Sequence, residues 1–191
     1  MADLLICDGN FALKCMSYAL TEYQLLAKWL SDPVVLEYYE GRDRPYNLEM
    51  VQKVFSPQAH AQEHTIPCLM LFHDKPAGYL QLYSLDNAGL AVYGAPDLPL
   101  PAWGMDLFIG ETRLWGQGLG TRFVRLALRY LFDQLRAEWI LLDPHVENTR
   151  AIRCYEKCGF RRLKLLPSHE LHEGKMVDCW VMGITRENTR L

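Results

Sequence analysis

Trp115-Gly116-Gln117-Gly118-Leu119-Gly120-Thr121 is the stretch that decides the fold. Before it lies an apolar run, residues 105–109. After it, Phe123, Leu126, Ala127, Tyr130, Leu131 and Leu135 keep the i, i+3, i+4, i+7 spacing of a helix with one buried face. Strand, glycine loop and helix together form an anion-binding arrangement. Glycines accept dihedrals that other residues avoid and let a ligand approach the backbone closely. The free N–H groups of the first helical turn, helped by the helix dipole, can then surround a phosphate. Gly116, Gly118 and Gly120 do not give the G-x-G-x-x-G spacing of a dinucleotide loop, and no Gly-Lys-Ser/Thr follows as in a Walker loop. What is left is either a different phosphate-bearing ligand or a plain strand-to-helix turn.

Downstream, residues 139–142 read as a buried strand. Asn148 caps a helix through Cys158, and Gly159 stands where a C-terminal glycine belongs. Residues 160–165 and 176–184 read as strands with a loop, 167–175, between them. Upstream, residues 11–17 suggest an edge strand. Residues 22–30 form a helix with Tyr23, Leu26 and Leu30 on one face, stopped by Ser31-Asp32-Pro33. Asn47 caps a second short helix to Phe55. The runs 68–72 and 79–83 pair as a hairpin around His73-Asp74-Lys75-Pro76. Residues 86–103, with Pro96, Pro99 and Pro101, predict a long irregular loop. No repeat or linker interrupts the chain, so residues 1–191 are expected to form a single mixed α and β domain.

Half of the 191 residues are hydrophobic, which suits a packed enzyme and excludes disorder as the main state. A net charge of -3 argues against a nucleic-acid footprint and suits a cationic small substrate, though it is also an ordinary value. No apolar run approaches a membrane span, and the polar start with Asp3 and Asp8 does not read as a signal peptide. Six scattered cysteines without a CxxC pair suggest free thiols and a cytoplasmic setting. Cys154 and Cys158 lie four apart on a helix but lack further metal ligands. His145, His169 and His172 read as loop histidines, and His169 with His172 lacks a third ligand, so no metal is expected.

Asn148-Thr149-Arg150-Ala151-Ile152-Arg153-Cys154-Tyr155-Glu156-Lys157-Cys158-Gly159-Phe160 resembles the N-x-x-A-x-x-x-Y-x-x-x-G-F block of the GNAT acetyltransferases. The paired glycines Gly118 and Gly120 stand about thirty residues before it, as in that superfamily. The one departure is Trp115, where the superfamily often has Arg or Gln. That weakens any side-chain grip there and leaves the backbone contacts. The resemblance implies a mostly antiparallel sheet, splayed after the fourth strand and flanked by helices, with acetyl-CoA entering the split. The pyrophosphate would rest on Trp115 to Thr121, chiefly on the backbone of Gln117 to Thr121. The pantetheine arm would pair like a strand with Leu107, Phe108 and Ile109, and Asn148 and Ala151 would flank the cofactor.

Acetyl transfer needs an uncharged amine, a stabilised oxyanion and a proton for the leaving thiolate. Tyr155 carries a neutral O–H suited to that last task, although without the motif it reads as a core aromatic. Asp106 interrupts an apolar strand, where an unpaired carboxylate is costly unless it faces a site. It suits binding the substrate ammonium and taking its proton. Trp29 to Pro45, Met105 to Thr121, Leu141 to His145, Ala151 to Arg161 and Leu166 to Cys179 further resemble the aminoglycoside 6′-N-acetyltransferases, including the acetyltransferase half of bifunctional acetyltransferase–phosphotransferase resistance enzymes. That likeness implies an aminoglycoside substrate, with Asp106 as the base, Tyr155 as the acid, and Tyr38 and Tyr39 lining the sugar site. Asp143, Glu170, Asp178 and Glu173 are further carboxylates suited to a polycation. A GNAT enzyme for another amine, such as a siderophore precursor or a protein N-terminus, and a non-catalytic acyl-CoA-binding module are the alternatives.

Overall fold

The computed structural model describes residues 4–189. A hairpin, β1 (Leu4–Asp8) and β2 (Phe11–Cys15), is followed by four helices: α1 (Leu20–Trp29), α2 (Pro33–Leu36), α3 (Leu48–Val54) and α4 (Pro57–Gln62). Then come β3 (Thr65–Phe72), β4 (Lys75–Leu85), α5 (Asn87–Val92) and β5 (Ala102–Ile109). The second half is α6 (Leu119–Asp133), β6 (Trp139–Leu142), α7 (Thr149–Cys158), β7 (Arg161–His172) and β8 (Lys175–Ile184). The strands form one sheet in the order β1-β2-β3-β4-β5-β6-β8-β7. Every neighbouring pair is antiparallel except β5 and β6.

Helices cover both faces of the sheet. Phe123, Val124, Ala127, Leu128 and Leu131 of α6 are buried against Leu13, Met70, Leu80 and Leu82. On the other face Leu26 and Trp29 of α1, Val51 of α3 and Phe55 pack on Leu69, Tyr79 and Phe108. Successive residues of a strand point to opposite faces. In β4, therefore, Leu80 and Leu82 go under α6, while Tyr79, Gln81 and Tyr83 face the α1 side.

Local chemistry explains most of the helix ends. Asn47 accepts from the Met50 amide at 2.8 Å and Asn148 from the Ala151 amide at 3.1 Å, satisfying donors that a first turn leaves free. Asp32 does stop α1, and it also caps α2 through the Val34 amide at 2.9 Å.

Three expectations need correction. Residues 11–17 do not form the edge, because β1 pairs outside β2. The 86–103 stretch holds α5, capped by Asp86 on the Gly89 amide at 2.8 Å. The expected loop 167–175 is mostly strand: β7 runs to His172, and only Glu173 and Gly174 turn into β8. The register slips between Leu166 and Glu170, which absorbs Pro167 and Ser168 as a bulge. As an edge strand β7 is exposed over most of its length, so it lacks the alternation by which strands are read.

The split falls where the resemblance implies. β5 and β6 pair only over Ala102↔Trp139, Trp103↔Ile140 and Gly104↔Leu141. Beyond Gly104, β5 keeps β4 as its partner and parts from β6. The missed β1 makes the splayed strand the fifth in the chain and not the fourth.

Candidate active site

A cleft of about 870 Å³ opens where β5 and β6 separate. It is lined at one end by the 114–121 loop and α7, and at the other by Asp106, Asp143, Glu170 and a group of tyrosines.

The glycine loop leaves its backbone open to the cleft. Gly116 and Gly118 have φ of 75° and 79°, in the left-handed region, and an added Cβ on either would meet nothing within 4 Å. The dihedral, not crowding, demands glycine there. Gly118 caps α6 with no side-chain bond, which leaves the N–H groups of the first turn without a side-chain partner beside the cleft that Gly118 to Thr121 line. Gln117 itself is exposed; its amide bonds the Arg113 carbonyl at 2.9 Å, while its neighbours line the cleft. The Trp115 indole donates to the Ile109 carbonyl at 2.8 Å and carries the Arg150 guanidinium 3.7 Å above its ring. Leu107, Phe108, Ile109, Leu119, Gly120, Thr121, Asn148 and Ala151 also line the cleft. The sequence reading missed Arg150, Arg153 and Lys157, which line the same end. Their i, i+3, i+7 spacing on α7 was the available signal.

Asp106 sits half-buried at the other end. Gln81, directly opposite in the β4–β5 register, donates to its Oδ2 at 2.8 Å. Tyr83 donates to its Oδ1 at 3.2 Å, and Tyr93 lies 2.6 Å from the Tyr83 hydroxyl. Gly104 makes room for this arrangement: a Cβ there would stand 2.0 Å from the Tyr83 ring. Burial pushes the Asp106 carboxyl up to about 6, the charges of Asp143 and Glu170 push the same way, and the Gln81 and Tyr83 bonds oppose it. Gln81, Tyr83 and Tyr93 were not singled out from the sequence. A glutamine between Leu80 and Leu82, facing the aspartate of the next strand, was the hint.

The other candidates divide between the cleft and places outside it. Tyr155 lines the cleft, and burial, with the nearby Cys154, Asp106 and Asp143, holds its phenol protonated well above the usual range. Tyr39 packs on Phe108 with centroids 4.6 Å apart, and Tyr38 is 37% exposed with Arg150 above its ring. Asp143 meets the His169 Nε2 at 3.3 Å, and burial raises its carboxyl. Glu170 bonds His145 at 2.9 Å, which lowers its carboxyl. Asp178 is not brought to the cleft: it accepts from the Ser168 amide at 2.8 Å and fixes the β7 bulge. Glu173 is likewise outside it, clamping the Arg42 guanidinium, with one bond of 2.8 Å. His145, Glu170 and His172, not His169, bring ligand atoms within 4.8 Å of one another. His145 and Glu170 are already paired with each other, and His172 meets the Glu37 carbonyl through Nε2 at 3.1 Å while its buried Nδ1 has no hydrogen-bond partner.

The cleft therefore has helix N–H groups and cations toward one end and carboxylates with aromatic faces toward the other, and Arg150, over both Trp115 and Tyr38, stands where they meet. Among the described residues no helix is long and apolar enough to cross a membrane. The family model described as an acetyltransferase (GNAT) domain matches residues 19–167. The aminoglycoside N(6')-acetyltransferase type 1 of Klebsiella pneumoniae is 34% identical over 145 residues, covering 75% of this chain and 72% of that protein. The solved structure of AAC(6')-Ib with ribostamycin and coenzyme A superposes with a TM-score of 0.76 at 28% identity, covering 94% of this chain and 95% of that one. A spermidine N-acetyltransferase from Vibrio cholerae, in complex with CoA and spermine, shares the fold at a TM-score of 0.75 and 17% identity, covering 95% and 98% of the two chains. The chain belongs to the GNAT acetyltransferases and, within them, to the family of the aminoglycoside 6′-N-acetyltransferases.

Proposed function

We propose that this protein transfers the acetyl group of acetyl-CoA to the 6′-amine of aminoglycosides, a reaction that would confer resistance. The observation that carries this reading is the two-ended cleft. A polyanionic cofactor and a polycationic acceptor each find the opposite charge, and the two ends meet at β5.

Acetyl-CoA supplies the thioester when bound. The first turn of α6, with Arg150, Arg153 and Lys157 of α7, holds its phosphates. The open edge of β5 at Leu107, Phe108 and Ile109 pairs with the pantetheine arm, and an N–H there polarises the thioester carbonyl. Asp106 binds the substrate ammonium and takes its proton, directly or through water. The freed amine attacks the carbonyl carbon, a C–N bond forms, the C–S bond breaks, and the nitrogen gives up its second proton to water. Tyr155 keeps its proton throughout the working pH range and presents it to the departing sulfur. Tyr38 and Tyr39 supply faces for the sugar rings, and Asp143 and Glu170 take further ammonium groups.

One relative supports a second reading. The N5-hydroxyornithine acetylase sidL of Beauveria bassiana is 26% identical over 151 residues, 77% of this chain but 26% of that protein. A thiol-release assay separates the two readings. With acetyl-CoA, kanamycin is expected to release CoA, and N5-hydroxyornithine is not. Turnover of the hydroxyornithine alone would reverse the assignment.

The cofactor end has its own test. Gly118→Ala forces an L-residue into the left-handed region at a cost of about 1–2 kcal/mol. The loop is expected to relax, and the Kd for CoA measured by calorimetry to rise roughly 5- to 30-fold. An unchanged Kd would remove the loop backbone from the phosphate grip.

A further inference from the structure

Gln81 can point either its N–H or its carbonyl oxygen at Asp106, and the two choices have opposite consequences. The N–H stabilises the carboxylate. The carbonyl oxygen repels it and accepts a proton from the carboxylic acid. What decides the choice lies on the far side of the amide. Gln81 Oε1 accepts the Tyr79 hydroxyl at 3.0 Å. The one proton of that hydroxyl is then used, so the Tyr79 oxygen accepts from its other neighbour, His60 Nε2, at 3.4 Å. His60 is 4% exposed, and burial lowers its imidazole, so it is neutral and carries a single N–H. With that N–H on Nε2, its Nδ1 accepts the Tyr18 hydroxyl at 3.1 Å.

We propose that Tyr79 and His60 are positioning residues: a one-way chain of donors from Tyr18 through His60, Tyr79 and Gln81 fixes the Gln81 amide and holds Asp106 as a carboxylate. The reverse polarity, with His60 protonated on Nδ1, belongs to the protonated acid. A second arm, Tyr93 to Tyr83, donates to the other oxygen. Neither His60 nor Tyr79 lines the cleft, so neither touches substrate. The proposal rests on the reading of Asp106 as the base.

The other groups that face Asp106 are Asp143 and Glu170, which disfavour its charge, and the neutral phenols of Tyr39, Tyr83, Tyr93 and Tyr155. His60 is faced by Tyr18, Tyr79 and the Phe55 ring. The wild-type rate should therefore show its acid limb near the Asp106 value of about 6, being full above it and lost as pH falls through it. Tyr79→Phe keeps the ring, which packs on Phe55 and Phe108, and removes only the hydroxyl. Gln81 is then free to turn, and the acid limb of kcat/KM is expected to move up by about 0.5–1 pH unit, the worth of one net hydrogen bond. A purely structural defect would lower the rate equally at every pH. In Gln81→Met the limb moves up as well, and adding Tyr79→Phe should move it no further.

The deciding measurement is the titration of the Asp106 carboxyl by carbon NMR in wild type and Tyr79→Phe, beside their rate profiles. A raised Asp106 value with a rate limb that follows it supports both the chain and the base. A raised value with an unmoved rate limb supports the chain and sinks the base. An unmoved value overturns the chain. Nitrogen NMR of His60 at pH 8 gives an independent check on the unaltered protein: Nε2–H is expected, and Nδ1–H would overturn the proposal.

Discussion

Asp106→Asn is expected to lower kcat/KM for kanamycin by roughly 10²- to 10⁴-fold, the range of a lost general base. The substitution keeps the shape of the side chain in a half-buried strand position flanked by Met105 and Leu107. It removes the negative charge that would hold an ammonium and the oxygen that would take its proton. It also sets an amide against the Gln81 N–H, which now donates at 2.8 Å. The cofactor end should be indifferent, because its proposed grip is the Gly118 backbone and the α7 cations, away from Asp106. Steady-state kinetics and CoA calorimetry on one preparation check both halves. A wild-type rate would remove Asp106 from the mechanism, and a joint loss of rate and CoA binding would point to a collapsed cleft.

Phe123→Ala should destabilise the fold by about 3–5 kcal/mol, the usual cost of emptying a large buried aromatic site. Phe123 is fully buried in the cluster that seats α6 on the sheet, and its ring meets Phe11 edge-on at 5.2 Å. For a chain of this size that loss is a fall in melting temperature of roughly 6–20 °C. Thermal denaturation measures it. Saturating CoA should restore part of the loss, since α6 carries both the core face and the proposed phosphate site. A fall of less than a degree or two would mean that α6 is not held by this face.

The parts of this molecule that were legible in the sequence are those whose physics is local. The 3.6-residue period of α6, the Asn148 cap and the Gly159 stop of α7 each rest on residues a turn apart, and each stands where expected. The cleft between β5 and β6 was implied only by the family resemblance that the two linked motifs carry. What was missed depends on distant pairing. β1 is a short edge strand that makes sense only beside β2. β7 carries no alternation because it borders solvent, and its bulge is closed by Asp178, ten residues away. That pairing also explains why Asp178 looked like a ligand: a carboxylate near a loop reads the same whether it faces a substrate or a backbone amide. Gln81 went unnoticed because its role depends on register, which sets it opposite Asp106. Tyr38, Tyr39, Asp143 and Glu170 do converge on the cleft, from three separate segments of the chain.

The central claim is regiospecific transfer to a 6′-amine. It is tested most directly by incubating the protein with acetyl-CoA and kanamycin, beside an analogue that bears a 6′-hydroxyl, and assigning the acetylated position by NMR. The account predicts one acetyl group on the 6′-nitrogen of kanamycin and no turnover of the analogue. Equal turnover of both, acetylation at another nitrogen, or a folded protein inert toward every aminoglycoside would contradict it.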